Sequence, residues 1–306
     1  MTTVVQKSAG AAQAASAIDP GLPRRKPSTV HYLMLLPSVV LFSIFITYPA
    51  LQGVVYSFTN FAGYGDWKWI GLANYQALFS DPNIYQSYAF TFLFAVTATI
   101  LTNGIALALA VVLTSKIKWP GVFKAIYFVP MVLSGLVISY VFQYLFSQGL
   151  PQLIAFGPLH DGILADPNYA WMGVVFVAVW QALPGSIIIF MAGLSSVGPD
   201  IYEAGELDGA GAWKQFRFLT LPLLAPFVII NTVLGLKGFL GIYDIVVGLT
   251  NGGPGLATTS ISMSIVNTLG SSDYAYGSAS SVVFAIVTIL LSVAQLGVIR
   301  LMGSRS

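Results

Sequence analysis

Glu203-Ala-Gly-Glu-Leu-Asp-Gly-Ala-Gly-Ala-Trp-Lys-Gln-Phe-Arg-Phe-Leu-Thr-Leu-Pro222 is a polar, glycine-punctuated stretch set between two long apolar runs. Just upstream, Pro199 and Asp200 suit the first turn of a helix: proline's fixed φ fits there, and an acidic side chain favours the positive end of the macrodipole. Ile201, Ala204 and Leu207 or Asp208 fall on neighbouring turns of that short helix, and Ala204 with Gly205 offers a low surface to another backbone. Gly209 and Gly211 suit the left-handed conformation that ends a helix and reverses the chain. A second short helix, from about Ala212 to Leu221, places Trp213, Phe216 and Arg217 at three- and four-residue spacing before Pro222 interrupts it. The expected unit is therefore helix, tight turn, helix.

What surrounds this stretch settles the solvent. The 306-residue chain is 56% hydrophobic and only 8% charged, with several apolar runs of about twenty residues, more than a soluble core of this size can hide. Six runs are long enough to cross a hydrocarbon layer of about 30 Å as helices: Tyr32 to Val55, Tyr88 to Leu113, Ala125 to Phe146, Ala170 to Leu194, Phe227 to Leu249 and Ala279 to Met302. The fold class expected is all-α and integral to the membrane. Pro37, Pro49, Pro130 and Pro184 lie inside these runs, where neighbouring helices or water can satisfy the freed carbonyls.

Lysine and arginine set the orientation, because they resist translocation. With a cytoplasmic N-terminus, one side carries Lys7, Arg24, Arg25, Lys26, Lys116, Lys118, Lys124, Lys214, Arg217, Arg300 and Arg305, and the other carries only Lys68. Both termini and the Glu203 to Pro222 stretch then face the cytoplasm. Residues 1–28 are rich in Ala, Ser, Gly and Pro without apolar periodicity and read as a disordered tail ahead of a membrane domain spanning 29–306. The first apolar run starts too late and is too long for a cleaved leader, so it reads as an uncleaved anchor. In the loop from Tyr56 to Ser87, Trp67, Trp69, Tyr75, Phe79 and Tyr85 read as an interfacial belt at the headgroup level.

The spacing in the polar stretch resembles the cytoplasmic signature of permease subunits of ATP-binding-cassette importers: Glu-Ala-Ala, three residues, Gly, nine residues, an apolar residue, any residue, Leu-Pro. Glu203, Ala204, Gly209, Leu219, Leu221 and Pro222 occupy those positions, and Gly205 stands where alanine is usual. Ile70-Gly71-Leu72-Ala73-Asn74-Tyr75 with Leu78-Phe79 and Asp81-Pro82 is similar to the first external loop of carbohydrate-importer permeases. So is Tyr243-Asp244 followed by Leu249-Thr250-Asn251-Gly252-Gly253-Pro254 and Ala257-Thr258, just after the fifth helix. Together these resemble the maltose and glycerol-phosphate type.

That resemblance implies a type I importer permease fold, a second permease subunit that completes the pore, two ATP-binding subunits and an extracytoplasmic solute-binding protein that delivers a carbohydrate. The segment of about 197–222 would carry the coupling helix. Glu203, Glu206 and Asp208 are expected to meet the ATPase, Ala204 and Gly205 to pack closely, Gly209 to turn the chain, Arg217 to pair with an acidic neighbour, and Pro222 to end the signature. ATPase closure would then move the membrane helices as rigid bodies.

The chain has no Gly-x-x-x-x-Gly-Lys-Ser/Thr phosphate cradle, so ATP and its Mg are expected on the partner subunits and no cofactor on this one. It has no catalytic triad, no paired-carboxylate site and no metal-ligand spacing, and His31 and His160 lack partners at useful spacing. An enzyme and a nucleic-acid-binding role are not expected. The absence of cysteine excludes disulfides and cysteine-ligated metals.

Polar residues deep in a span usually face the bundle interior or a watery cavity. On the fifth run, Asn231, Gly235, Lys237, Tyr243 and Asp244 are candidates for the solute pathway, with Lys237 and Asp244 seven residues apart and so on about one face of one helix. On the fourth, where resembling permeases line their sugar site, Trp180, Gln181 and Gly185 join them. For Trp180 simple helix or lipid packing is the competing reading, and Asn103, Gln143 and Gln295 read as interhelical glue. Two alternatives remain open: a permease for another small solute such as glycerol 3-phosphate, and an ion-coupled secondary transporter, which would show paired broken helices in an internal repeat.

Overall fold

The computed structural model describes residues 29–115, 118–154, 157 and 162–303. The proposed tail at 1–28, and with it Lys7, Arg24, Arg25 and Lys26, lies outside these residues, as do Lys116, His160 and Arg305 and the side chains of His31 and Arg300. The described chain is helical, interrupted by turns and by one isolated antiparallel bridge between Thr59 and Trp69.

Two units divide it, residues 1–52 and 53–306. Within the first, α1 (Thr29–Phe42) runs through a π turn at Ser43–Thr47 into α2 (Tyr48–Tyr56). Leu33–Tyr56 is long and apolar enough to cross a membrane, and its side chains from Leu33 to Leu51 are exposed.

The second unit holds α3 (Ala73–Leu78), α4 (Pro82–Thr114), α5 (Pro120–Val132), α6 (Gly135–Tyr144), a π turn at Leu145–Gly149, α7 (Leu150–Leu153) and α8 (Ala170–Ser196). After α8 come α9 (Pro199–Leu207), α10 (Ala212–Gln215), a π turn at Phe216–Thr220, α11 (Leu221–Leu223), α12 (Ala225–Leu240), α13 (Asp244–Leu249), α14 (Ile261–Gly270) and α15 (Tyr274–Gly303). Among the described residues four helices can span a membrane, or up to six if each of two bent pairs is one span.

The bundle is organised on α4 and α8. Asp81 caps α4 by accepting a hydrogen bond from the Asn83 N–H at 2.9 Å, with Pro82 preset for the first turn. Along α4, Phe94, Ala98, Ala106 and Ala110 recur at four- and eight-residue spacing and are fully buried. Small side chains there let α8 approach, so that Val174 and Val177 share one buried cluster with Phe94 and Ala98, and Ile187 and Phe190 a second with Ala106 and Ala110. α12 closes on α8 at Gly193, where an added Cβ would lie 2.7 Å from the Phe227 ring and 2.8 Å from Leu224.

The third and fifth runs depart from the sequence expectation. The third is not one rod from Ala125 to Phe146: its halves meet at 100° across Leu133 and Ser134. Pro130 is not the break. Ser134 is extended and caps α6 through its hydroxyl, which accepts from Val137 N at 3.4 Å. The Gln181 side chain donates to the freed Leu133 carbonyl at 3.3 Å.

The fifth run ends at Leu240 rather than Leu249, and Gly241 to Tyr243 are non-helical. Here the Ser260 hydroxyl donates to the Ile242 carbonyl at 2.8 Å. In both places a side chain from elsewhere in the fold satisfies backbone that lipid would leave bare. The short helices beyond the two breaks, α6 and α13, pack on each other so closely that a Cβ on Gly248 would collide with Ser139 Cβ.

The loop between α2 and α4 is knit into the bundle. The Asn74 amide donates to the Ser57 and Thr59 carbonyls at 2.9 and 2.8 Å, Trp69 stacks on Phe58, and Tyr276 donates to Asp81 at 3.1 Å.

Candidate pathway and coupling segment

Between α8 and α12 lies a cavity of about 440 Å³, extended by Ile242 at the break and Ile245 of α13. Four of the expected pathway residues line it: Gln181, Gly185, Asn231 and Gly235. Asn231 is 3% exposed, and its amide nitrogen donates to the Ser186 carbonyl at 3.2 Å, tying α12 to α8. Gln181 spends its amide nitrogen on Leu133, so both side chains are oriented by one bond each and keep a carbonyl oxygen for a second partner. The rest of the lining is small or apolar, including Ala178, Ala182, Leu234, Gly238 and Phe239, and no lining residue is charged. A hydroxylated solute with an apolar face matches such walls.

The other four candidates lie off the lining. Trp180 points to the opposite side of α8, edge-on to Phe142 at 5.2 Å, along an apolar groove shared with Thr97 and Leu101 of α4. Its ring packs against a neighbouring helix there. Tyr243 is half-buried against the core. Lys237 is exposed in the last turn of α12, while Asp244 opens α13, so the helix break removes the expected common face. Asp244 instead lies beside the α5–α6 break: a Cβ on Gly135 would be 3.5 Å from Asp244 Cβ and 3.4 Å from Gln181 Oε1. Ser186 and Phe239 went unread, although the Gly185-Ser186 pair in an apolar run is a signal of the same kind as Asn231. Asn103 is not interhelical glue through its amide nitrogen, which bonds Thr99 O of its own helix at 2.9 Å.

At the other end of the same helices, α9 starts three residues after α8 ends. Pro199 and Asp200 occupy its first turn as expected. Gly209 takes the left-handed conformation with φ +72°, but Gly211 does not: at φ −66° and ψ 166° it is the extended cap of α10. Gly205 is buried, and what approaches it is a side chain, that of Leu219, 2.9 Å from where a Cβ would stand. Ala204, Glu203, Glu206 and Asp208 remain exposed, as does Leu207 at 90%.

Pro222 does not stop the second helix. The π turn before it lets Leu221 N–H reach Phe216 O, which widens the coil where the proline ring would clash, and the 62° bend falls at Leu224 instead. Arg217 lies over the Phe218 ring at 5.8 Å.

Residues 103–305 match the model of the binding-protein-dependent transport system inner membrane component family. The chain belongs to this family. The permease is 32% identical to the multiple sugar-binding transport system permease protein of Streptococcus mutans, over 87% of this chain and 93% of that one. It is 30% identical to the trehalose/maltose transport system permease protein of Thermococcus litoralis, over 90% and 95%. Its fold is similar to a chain in the crystal structure of a bacterial transporter that imports the acidic polysaccharide alginate, with a TM-score of 0.77 at 20% identity, covering 89% of the permease and 95% of that chain. The permease is thus a multi-pass membrane component of an ATP-binding-cassette transport system.

Proposed function

We propose that this permease forms half of the translocation pathway of an ATP-driven sugar importer and couples closure of partner ATPases to alternating access. The observation that carries the reading is connectivity: α8 and α12, the two helices that wall the cavity, flank the exposed α9 in the chain, α8 ending three residues before it and α12 following its turn by way of the bent helical stretch 212–224. A push on α9 therefore has a covalent route to both walls. Relatives named for multiple sugars and for trehalose and maltose support the cargo class, as does a lining that offers amide and hydroxyl groups but no charge. Burying a phosphate against such walls leaves its charge unpaired, which disfavours glycerol 3-phosphate.

A second permease, two ATP-binding subunits and an extracytoplasmic binding protein complete the machine, ATP and Mg act on those ATP-binding subunits, and this chain is non-catalytic. Both termini and α9 face the cytoplasm. The large exposed apolar area of Leu33 to Leu51 is consistent with burial in lipid and against a partner.

The test is reconstitution of the complex co-purified from its native membrane. A neutral sugar presented with the binding protein is expected to stimulate ATP hydrolysis, and Asn231→Ala to reduce uptake of that sugar. Stimulation by glycerol 3-phosphate alone, or by no sugar, would reject the cargo; absence of ATPase subunits from the complex would reject the machine.

A further inference from the structure

Three contacts converge on Gln215, a residue outside the signature positions. Its side-chain nitrogen donates to the Ala210 carbonyl at 3.0 Å, across the turn that joins α9 to α10. Its Cγ lies 3.6 Å from where a Cβ on the buried Gly205 would stand, so its stem packs on the middle of α9. Its backbone carbonyl accepts from the Thr220 hydroxyl at 3.4 Å, and that hydroxyl shares a hydrogen bond of 3.1 Å with Tyr202 near the start of α9. The start and middle of α9 and the turn that follows it are thereby tied to the helical stretch that leads into α12. Gly209 is the left-handed pivot of the turn between them, and a displacement of α9 that pivoted there alone would not reach α12.

We infer that Gln215 is a positioning residue for the nucleotide-driven motion, a side chain that, beside Leu219 and the Tyr202–Thr220 bond, makes α9 and the stretch leading into α12 move as one body. The inference rests on the coupling reading above. Glutamine suits the task because it joins a packing stem to a donor with the reach to cross the turn. Methionine keeps the stem and loses the donor; lysine keeps both.

The chain's lack of cysteine allows a readout that needs no knowledge of the solute. In the assembled complex, a cysteine placed at the cavity residue Leu234 is labelled with a membrane-impermeant maleimide, with ADP or with ATP and vanadate, and its labelling on this chain is quantified. The unsubstituted background is expected to change its labelling rate with nucleotide. Gln215→Met should shrink that change by about three- to tenfold, as expected for one lost hydrogen bond, with assembly and vanadate-trapped nucleotide unaltered. Gln215→Lys should restore it. A full response in the methionine variant, or no rescue by lysine, would overturn the role of Gln215 while leaving coupling through α9 in place, provided Gly209→Val abolishes the response. If the background itself shows no nucleotide response, the coupling reading fails with it.

Discussion

Gly248 leaves no room for a side chain: an added Cβ would collide with Ser139 Cβ and stand 3.3 Å from the Leu136 carbonyl. Because one neighbour is backbone, the site cannot relax by a rotamer change alone. Gly248→Val should destabilise the subunit by about 1–3 kcal/mol, the usual cost of overpacking, measured as a lowered thermal midpoint in detergent. Asn231 is a different kind of residue. Its bond to Ser186 joins two helices, and such intramembrane bonds average about 0.6 kcal/mol. Asn231→Leu should therefore cost little stability and yet weaken solute affinity by about tenfold, if its free carbonyl oxygen receives a hydroxyl, as measured by uptake at graded sugar concentration. A large stability loss with unchanged affinity would make Asn231 structural only.

At the scale of elements, the three π turns end two residues before Pro49, Pro151 and Pro222. In each case the amide of the residue between turn and proline reaches back five positions, to Ser43, Leu145 and Phe216. The wider turn lets the helix pass a residue that cannot donate and whose ring crowds the preceding coil. Helix continuity past Pro222 carries the stretch that starts at Ala212 as far as the bend at Leu224, so the helix goes on where the sequence reading expected a stop.

The turn that starts this segment needs Gly209 at φ +72°, a conformation that costs an ordinary L-residue roughly 1–2 kcal/mol and a β-branched one more. Gly209→Val should leave the subunit in the membrane and assembled while raising the ATP hydrolysed per sugar imported. An unchanged ratio in proteoliposomes would refute the role of the turn.

For the whole molecule, orientation is open to a direct check because no native cysteine competes for label. In intact cells an impermeant maleimide should react with a cysteine at Ser272, in the turn before α15, and reach one at Lys214 only after permeabilisation. The reverse pattern would invert the topology.

Lys237 and Asp244 show where reading from sequence stops. Seven residues apart in an apolar run, they share a helix face only while the helix lasts, and Gly241 ends it first. Gln181 shows the opposite: a lone amide in the fourth run was legible as a candidate and does line the cavity, but its tie to Leu133, 48 positions away, was not legible. Composition and run length by themselves determined that this chain is a helical membrane protein, and the spacing from Glu203 to Pro222 determined its family, because lipid solvation and local turn chemistry act on neighbours in sequence. Only the tertiary structure decided where spans three and five break and which polar groups line the cavity. A carbonyl can leave its helix inside a membrane only where a distant donor, here Gln181 or Ser260, has been brought to meet it.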